Sequence, residues 1–153
     1  MTTTIPILNA QHQDVLLRLA AVEAELIIPG DHDLAAFSTY LDSEVMHHFT
    51  LEEQALFPPL ARHLGTTQGP LAMMEAEHAE FRELLQGLTD AVRTGAHGAQ
   101  RAIAGEIIEL LRVHIHKEDH VLFPMAEHLL SAEEIAEVDR RASTFTAAPS
   151  PHA

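Results

Sequence analysis

The sequence predicts an all-α protein, an antiparallel up-down-up-down four-helix bundle with a short C-terminal fifth helix. Three observations lead there. No stretch alternates apolar and polar residues with the period of two that a half-buried strand requires. Apolar residues instead recur at three- and four-residue steps through four long segments, and the connections between those segments are short.

The first segment, residues 9 to 28, places Val15, Leu16, Leu19, Val22 and Leu26 at helical steps from His12, and Pro29-Gly30-Asp31 stops it. Asp31 or Asp33 can cap the second helix, which carries Phe37, Leu41, Val45, His48, Glu52 and Leu56; Pro58-Pro59 is expected to kink or end it. After a loop from Gly65 to Pro70, Met74, His78, Phe81, Leu85, Leu88 and Val92 mark a third helix, closed by Thr94-Gly95. The fourth runs from about Ala99 to Phe123 with Ile103, Ile107, Leu110, Leu111, His114, Glu118 and Val121 turned inward, and Pro124 repeats the break. Ser131 to Glu134 form a capping box. The organisation expected is therefore an N-terminal arm (1–8), the bundle (9–130), a short helix (131–143) and a flexible tail (144–153).

At 153 residues, 46% of them hydrophobic, the chain is long enough to bury a core without a disulfide or metal to hold it together. It has no cysteine, which excludes disulfides, thiolate zinc sites, cysteine-ligated clusters and a cysteine nucleophile. A net charge of −14, from 23 acidic and 9 basic residues, argues against nucleic acid or an anionic membrane as partner. No basic stretch followed by an apolar run opens the chain, and there is no long apolar span, so a soluble cytoplasmic protein is expected. The compositional anomaly is imidazole: twelve histidines against one tyrosine and no tryptophan.

Those histidines become informative through an internal repeat. Residues 48–58, His-Phe-Thr-Leu-Glu-Glu-Gln-Ala-Leu-Phe-Pro, match residues 114–124, His-Ile-His-Lys-Glu-Asp-His-Val-Leu-Phe-Pro, at an offset of 66. The same offset carries His12, after Ala-Gln, onto His78, after Ala-Glu. At about 1.5 Å of rise per residue, His12 and His48 lie equally far from their connecting loop, as do His78 and His114, so all four reach one level. The four-residue spacing adds Glu52 and Glu118 to it. Four imidazoles and two carboxylates converging in a core, with no lysine or arginine repeated in register nearby, call for cations.

Metal ligands are therefore assigned to His12, His48, Glu52, His78, His114 and Glu118. Glu53 and Asp119 also recur, as outer partners for histidine N–H groups or as solvated carboxylates, and Glu44 and Tyr40 precede His48 by one and two turns as further candidates. His116 and His120 do not recur and point about 200° and 240° away from His114; His47 matches Val113 and is set aside. Imidazole with carboxylate and no sulfur suits iron, with zinc or manganese as substitutes. If both carboxylates bridge, about two of six positions on each metal stay open for oxygen, peroxide or nitric oxide.

His12, His48-x-x-x-Glu52, His78 and His114-x-x-x-Glu118, with their Leu-Phe-Pro continuations, resemble the hemerythrin-like, or HHE cation-binding, family over about residues 9 to 130. The resemblance implies a bundle holding two non-haem iron ions, oxo- or hydroxo-bridged when oxidised. It also implies an oxygen-, nitric oxide- or peroxide-handling role, as a carrier, a peroxide- or nitric oxide-consuming oxidoreductase, or an iron/oxygen-sensing, storage or donor protein. Oxygen-carrying members have a further histidine where this chain has Met74, and their bridging carboxylate stands where Asp119 does, although Glu118 repeats Glu52 here. A ferritin-like arrangement would need Glu-x-x-His on helices 2 and 4, and the fourth helix has none; a mononuclear zinc hydrolase leaves the two-fold repeat unused.

Overall fold

The computed structural model describes residues 2–146, and its regular structure is helical throughout. Five helices follow one another: α1 (Thr4–Ile27), α2 (35–64), α3 (Pro70–Thr94), α4 (97–129) and α5 (Ala132–Thr146). Residue 1 and residues 147–153, most of the expected tail, lie outside the described part; Thr144 and Phe145 belong to α5 instead. None of the described helices is long and apolar enough to cross a membrane.

α1 begins at Thr4, earlier than the apolar spacing suggests, for a reason far away in sequence. Asp139 on α5 accepts hydrogen bonds from the hydroxyls of Thr2 and Thr4 and from the backbone N–H groups of Thr3 and Thr4. A carboxylate thereby satisfies donors at a helix N-terminus that would otherwise need water. Asp33 Oδ1 accepts the Ala35 N–H at 2.9 Å where α2 begins, and buried Gln100 of α4 accepts the Leu34 N–H while donating to Ala91 O, tying the start of α2 to the end of α3. Gly95, at φ 70°, provides the left-handed turn that stops α3. The Ser131–Glu134 capping box forms in both directions, at 3.0 and 3.1 Å.

The prolines do not break their helices. α2 runs on through Pro58 and Pro59 to Leu64, and α4 through Pro124 to Leu129, because one wide, π-helical turn precedes each. These turns, Glu52–Leu56 and Glu118–Leu122, are 66 residues apart and each starts on a repeated glutamate. A proline inside a helix lacks an N–H and crowds the carbonyl four residues earlier. For Pro58 that carbonyl is Gln54, which accepts Arg141 of α5 at 3.3 Å instead. The wide turn also delays the inward face by one residue, correcting one assignment: Val121 is exposed, and Leu122 takes the buried place.

α1 packs on α4 and α5, α2 on α3 and α5, and α3 on α4. The apolar core is in two parts. One joins Val15, Leu19, Phe37, Phe49, Phe81, Ile107 and Leu111; the other joins Leu8, Leu51, Leu56, Leu71, Met74, Leu122 and Phe123. Interspersed among these residues, on all four long helices, lie His12, His48, Glu52, His78, His114 and Glu118, each at most 3% exposed.

Candidate metal centre

Burying two carboxylates and four imidazoles costs several kcal/mol per ion unless each is compensated, so the partners of these groups define the site. The ring atoms divide into inner and outer sets. All four Nδ1 atoms point outward onto acceptors: His12 onto Asp119 (2.7 Å), His48 onto Gln11 (2.7 Å), His78 onto Glu53 (2.6 Å) and His114 onto Glu77 (2.8 Å). Each acceptor comes from a neighbouring helix, α4 for α1, α3 for α4, α2 for α3 and α1 for α2, which closes a ring of hydrogen bonds. Carboxylate and amide oxygens accept only, so each Nδ1 carries a proton and each Nε2 is left to face the interior.

Inside, His12 Nε2 lies 3.0 Å from Glu118 Oε1, His48 Nε2 3.3 Å from Glu52 Oε2, His78 Nε2 3.2 Å from Glu52 Oε1 and His114 Nε2 3.4 Å from Glu118 Oε1. Two quartets result, His12–His48–Glu52–Glu118 and Glu52–His78–His114–Glu118, each with ligand atoms within 4.8 Å of one another. Both glutamates belong to both. Glu52 Oε1 and Oε2, His78 Nε2, His114 Nε2 and Glu118 Oε2 are buried without a hydrogen-bond partner. Well-folded interiors rarely leave such atoms unsatisfied, and five of them facing one another fit a cation site.

The electrostatics agree. Burial alone would push the His48 imidazole down, yet the carboxylates of Glu52 and Glu118 raise it to about 9. Burial opposes charge on His114 too, and Glu118 and Glu77 lift it to about 10. His78 is raised by Glu52 and Glu53 against the same burial. Burial favours a neutral Glu118, but the imidazoles of His114 and His12 beside it hold its carboxyl well below the usual range. Without a metal, protons on the rings balance the glutamates; a metal takes the place of those protons.

Aromatic rings wall the site. Phe123 stacks on His12 (5.4 Å, 4°), and both Phe57 (5.6 Å, 24°) and Phe49 (3.7 Å, 9°) stack on His78. Arg82 grips Glu53 at 2.7 and 2.9 Å, and Lys117 grips Glu77 at 2.6 Å. With His78, Arg82 holds the Glu53 carboxyl down at about 2 against the opposing pull of burial.

The six repeated residues thus come together, and Glu53 and Asp119 stand as outer acceptors. Tyr40 and Glu44 do not reach the quartets: Glu44 is exposed, and Arg18 lies over the Tyr40 ring at 4.9 Å in a cleft lined by α1 and α2. His47, His116 and His120 are exposed. Gln11, Glu77, Arg82 and Lys117 are site residues that the sequence reading passed over. The first two carried a signal, since they precede His12 and His78 and are themselves 66 apart.

An all-helical chain whose interior presents histidine and carboxylate quartets belongs to the class of helical proteins fitted to cations. The chain belongs to the hemerythrin HHE cation binding domain family, which it matches over residues 3–126. It is similar to the iron–sulfur cluster repair protein YtfE of Enterobacter sp. (strain 638), 37% identical over 102 residues, 61% of this chain and 46% of that protein. YtfE of Escherichia coli O1:K1 / APEC and of Citrobacter koseri are 32% identical over 102 residues, with the same coverage. The chain spans about half the length of these curated relatives. No solved structure matches it.

Proposed function

We propose that this chain is a non-haem di-iron protein in which Glu52 and Glu118 bridge two iron ions, one held by His12 and His48, the other by His78 and His114. The observation that carries the reading is the pair of quartets sharing both glutamates, with unpartnered donor atoms turned inward. We read the fold around it as an antiparallel four-helix bundle of α1 to α4 with α5 packed alongside, organised as a bundle over 9–130. Contacts of Glu23 and His12 on α1 with Arg112 and Asp119 on α4 support opposed helix directions, because one number falls as the other rises.

Bound iron would supply redox chemistry and about two open positions per ion for oxygen, peroxide or nitric oxide. The residues of the chain do the rest. Asp119, Gln11, Glu53 and Glu77 fix each imidazole's tautomer and plane; Phe49, Phe57 and Phe123 keep bulk water from the donor atoms; the two glutamates balance the cations' charge. Zinc or manganese would be accepted by the same donors. The setting proposed is the reducing cytoplasm, with a small molecule rather than nucleic acid or membrane as partner, consistent with a net charge of −14.

A second reading is favoured by the relatives, which are named iron–sulfur cluster repair proteins: the iron is cargo, given up to a damaged cluster. One experiment addresses both. Protein made in iron-replete cells is expected to hold about two irons per chain, as its two quartets require; none, or zinc alone, would refute the di-iron reading. Adding oxygen, peroxide and nitric oxide separately to the reduced protein distinguishes a reversible adduct from turnover. Incubating it with a cysteine-ligated apo-cluster protein, sulfide and reductant shows whether iron moves.

A further inference from the structure

The two quartets are related by the offset of 66, and so are their outer hydrogen bonds, except in one place. His12 and His78 donate to carboxylates, Asp119 and Glu53, which are 66 apart. His114 donates to the carboxylate of Glu77, but His48 donates to the neutral amide of Gln11. One imidazole of the four therefore lacks an anionic partner on its outer nitrogen. A second difference falls on the same side. Phe49 lies flat on His78 at 3.7 Å and edge-on to His114 at 5.4 Å, whereas the residue 66 positions later is Ile115, which has no ring to stack.

A carboxylate on Nδ1–H makes the opposite nitrogen a better electron donor and locks the ring's orientation; an amide does both less, and such outer partners are worth about 10- to 100-fold in metal affinity. Arg82 and Lys117 draw charge from Glu53 and Glu77, which works the other way. Both are more than a third exposed, and so screened, while the ring contacts they oppose are direct at 2.6 and 2.8 Å. Access does not separate the halves either. A cleft of about 540 Å³ lies against Gln11 and another of about 410 Å³ against Glu53.

We infer that the two metal positions are unequal, the one held by His12 and His48 releasing its ion first and the one held by His78 and His114 retaining it, with Gln11 opposite Glu77 as the cause. The inference rests on the di-metal reading and gives the donor role a specific exchangeable ion. Gln11 and Glu77 are positioning residues that act through His48 and His114.

The test uses the full chain loaded anaerobically with ferrous iron and mixed with a coloured ferrous chelator. Iron should leave in two phases of one equivalent each, with rates about tenfold or more apart. Gln11→Glu should slow the fast phase until the two merge, and Glu77→Gln should speed the slow one. The double variant Q11E/E77Q should restore two phases, a recovery that mere structural damage would not give. Two irons leaving wild type in a single phase, or unchanged rates in both single variants, overturns the inference alone. Failure to bind iron at all overturns the centre itself and the inference with it.

Discussion

Loading the site with metal must displace protons from the imidazoles that the buried glutamates hold charged. In the metal-free protein His48 is raised to about 9 and His114 to about 10, so at pH 7 both rings are charged. Discharging His48 at pH 7, two pH units below its value, costs about 3 kcal/mol, and His114, three units below, about 4 kcal/mol. Together about 7 kcal/mol of intrinsic metal affinity is offset at neutrality. The joint binding constant for two metals should therefore rise about a hundredfold per pH unit between pH 7 and 9, as two protons leave. Titration calorimetry with cobalt(II), repeated at pH 7.5 in buffers of different ionisation enthalpy, should count at least about two protons released per chain, from His48 and His114, with His78 also raised. Binding that releases none, or an affinity flat with pH, would refute the argument that the imidazoles share a buried charge balance with Glu52 and Glu118. The metal-free protein should move the opposite way. Because both folded values lie above the ordinary imidazole value of 6.5, their stabilising contribution is complete below 6.5 and is lost as the pH rises through about 9 and 10, so its melting temperature should fall over that range.

Glu52→Gln keeps the shape of a residue that serves both quartets but removes its charge, and metal analysis should then find at most one ion per chain; two retained ions would exclude a bridging role. Asp119→Asn leaves His12 a neutral acceptor, and metal affinity measured by competition should fall about 10- to 100-fold with helix content unchanged. Phe81→Ala empties a fully buried position against Phe49 and should cost about 3 to 5 kcal/mol in urea unfolding of the metal-free protein. His116→Ala with His120→Ala removes an exposed pair whose rings lie 4.3 Å apart, and should leave the tightly bound metal count unchanged.

What the sequence made legible follows from what repetition preserves. Identical residues at a fixed offset picked out His12, His48, Glu52, His78, His114 and Glu118, because a symmetric centre needs the same donors twice. Other outer partners were harder to see: Gln11 and Glu77 occupy matching positions but differ in type, and the donors Arg82 and Lys117 match leucines, Leu16 and Leu51. Pro58 and Pro124 suggested helix ends because a proline removes a backbone donor. That the chain would open one wide turn, and that Arg141 from another helix would take up the freed Gln54 carbonyl, depends on contacts remote in sequence. The early start of α1 depends likewise on Asp139, more than a hundred residues away.

The closed ring of outer hydrogen bonds bears on why the two halves share one polypeptide. In an assembly of two identical hairpins, any change to one outer partner would appear twice, since the symmetry of a homodimer makes every substitution a double one. Joining the hairpins removes that constraint. A carboxylate can then stay at position 77 while an amide stands at position 11, and a centre built from matched parts can hold its two sides to different standards.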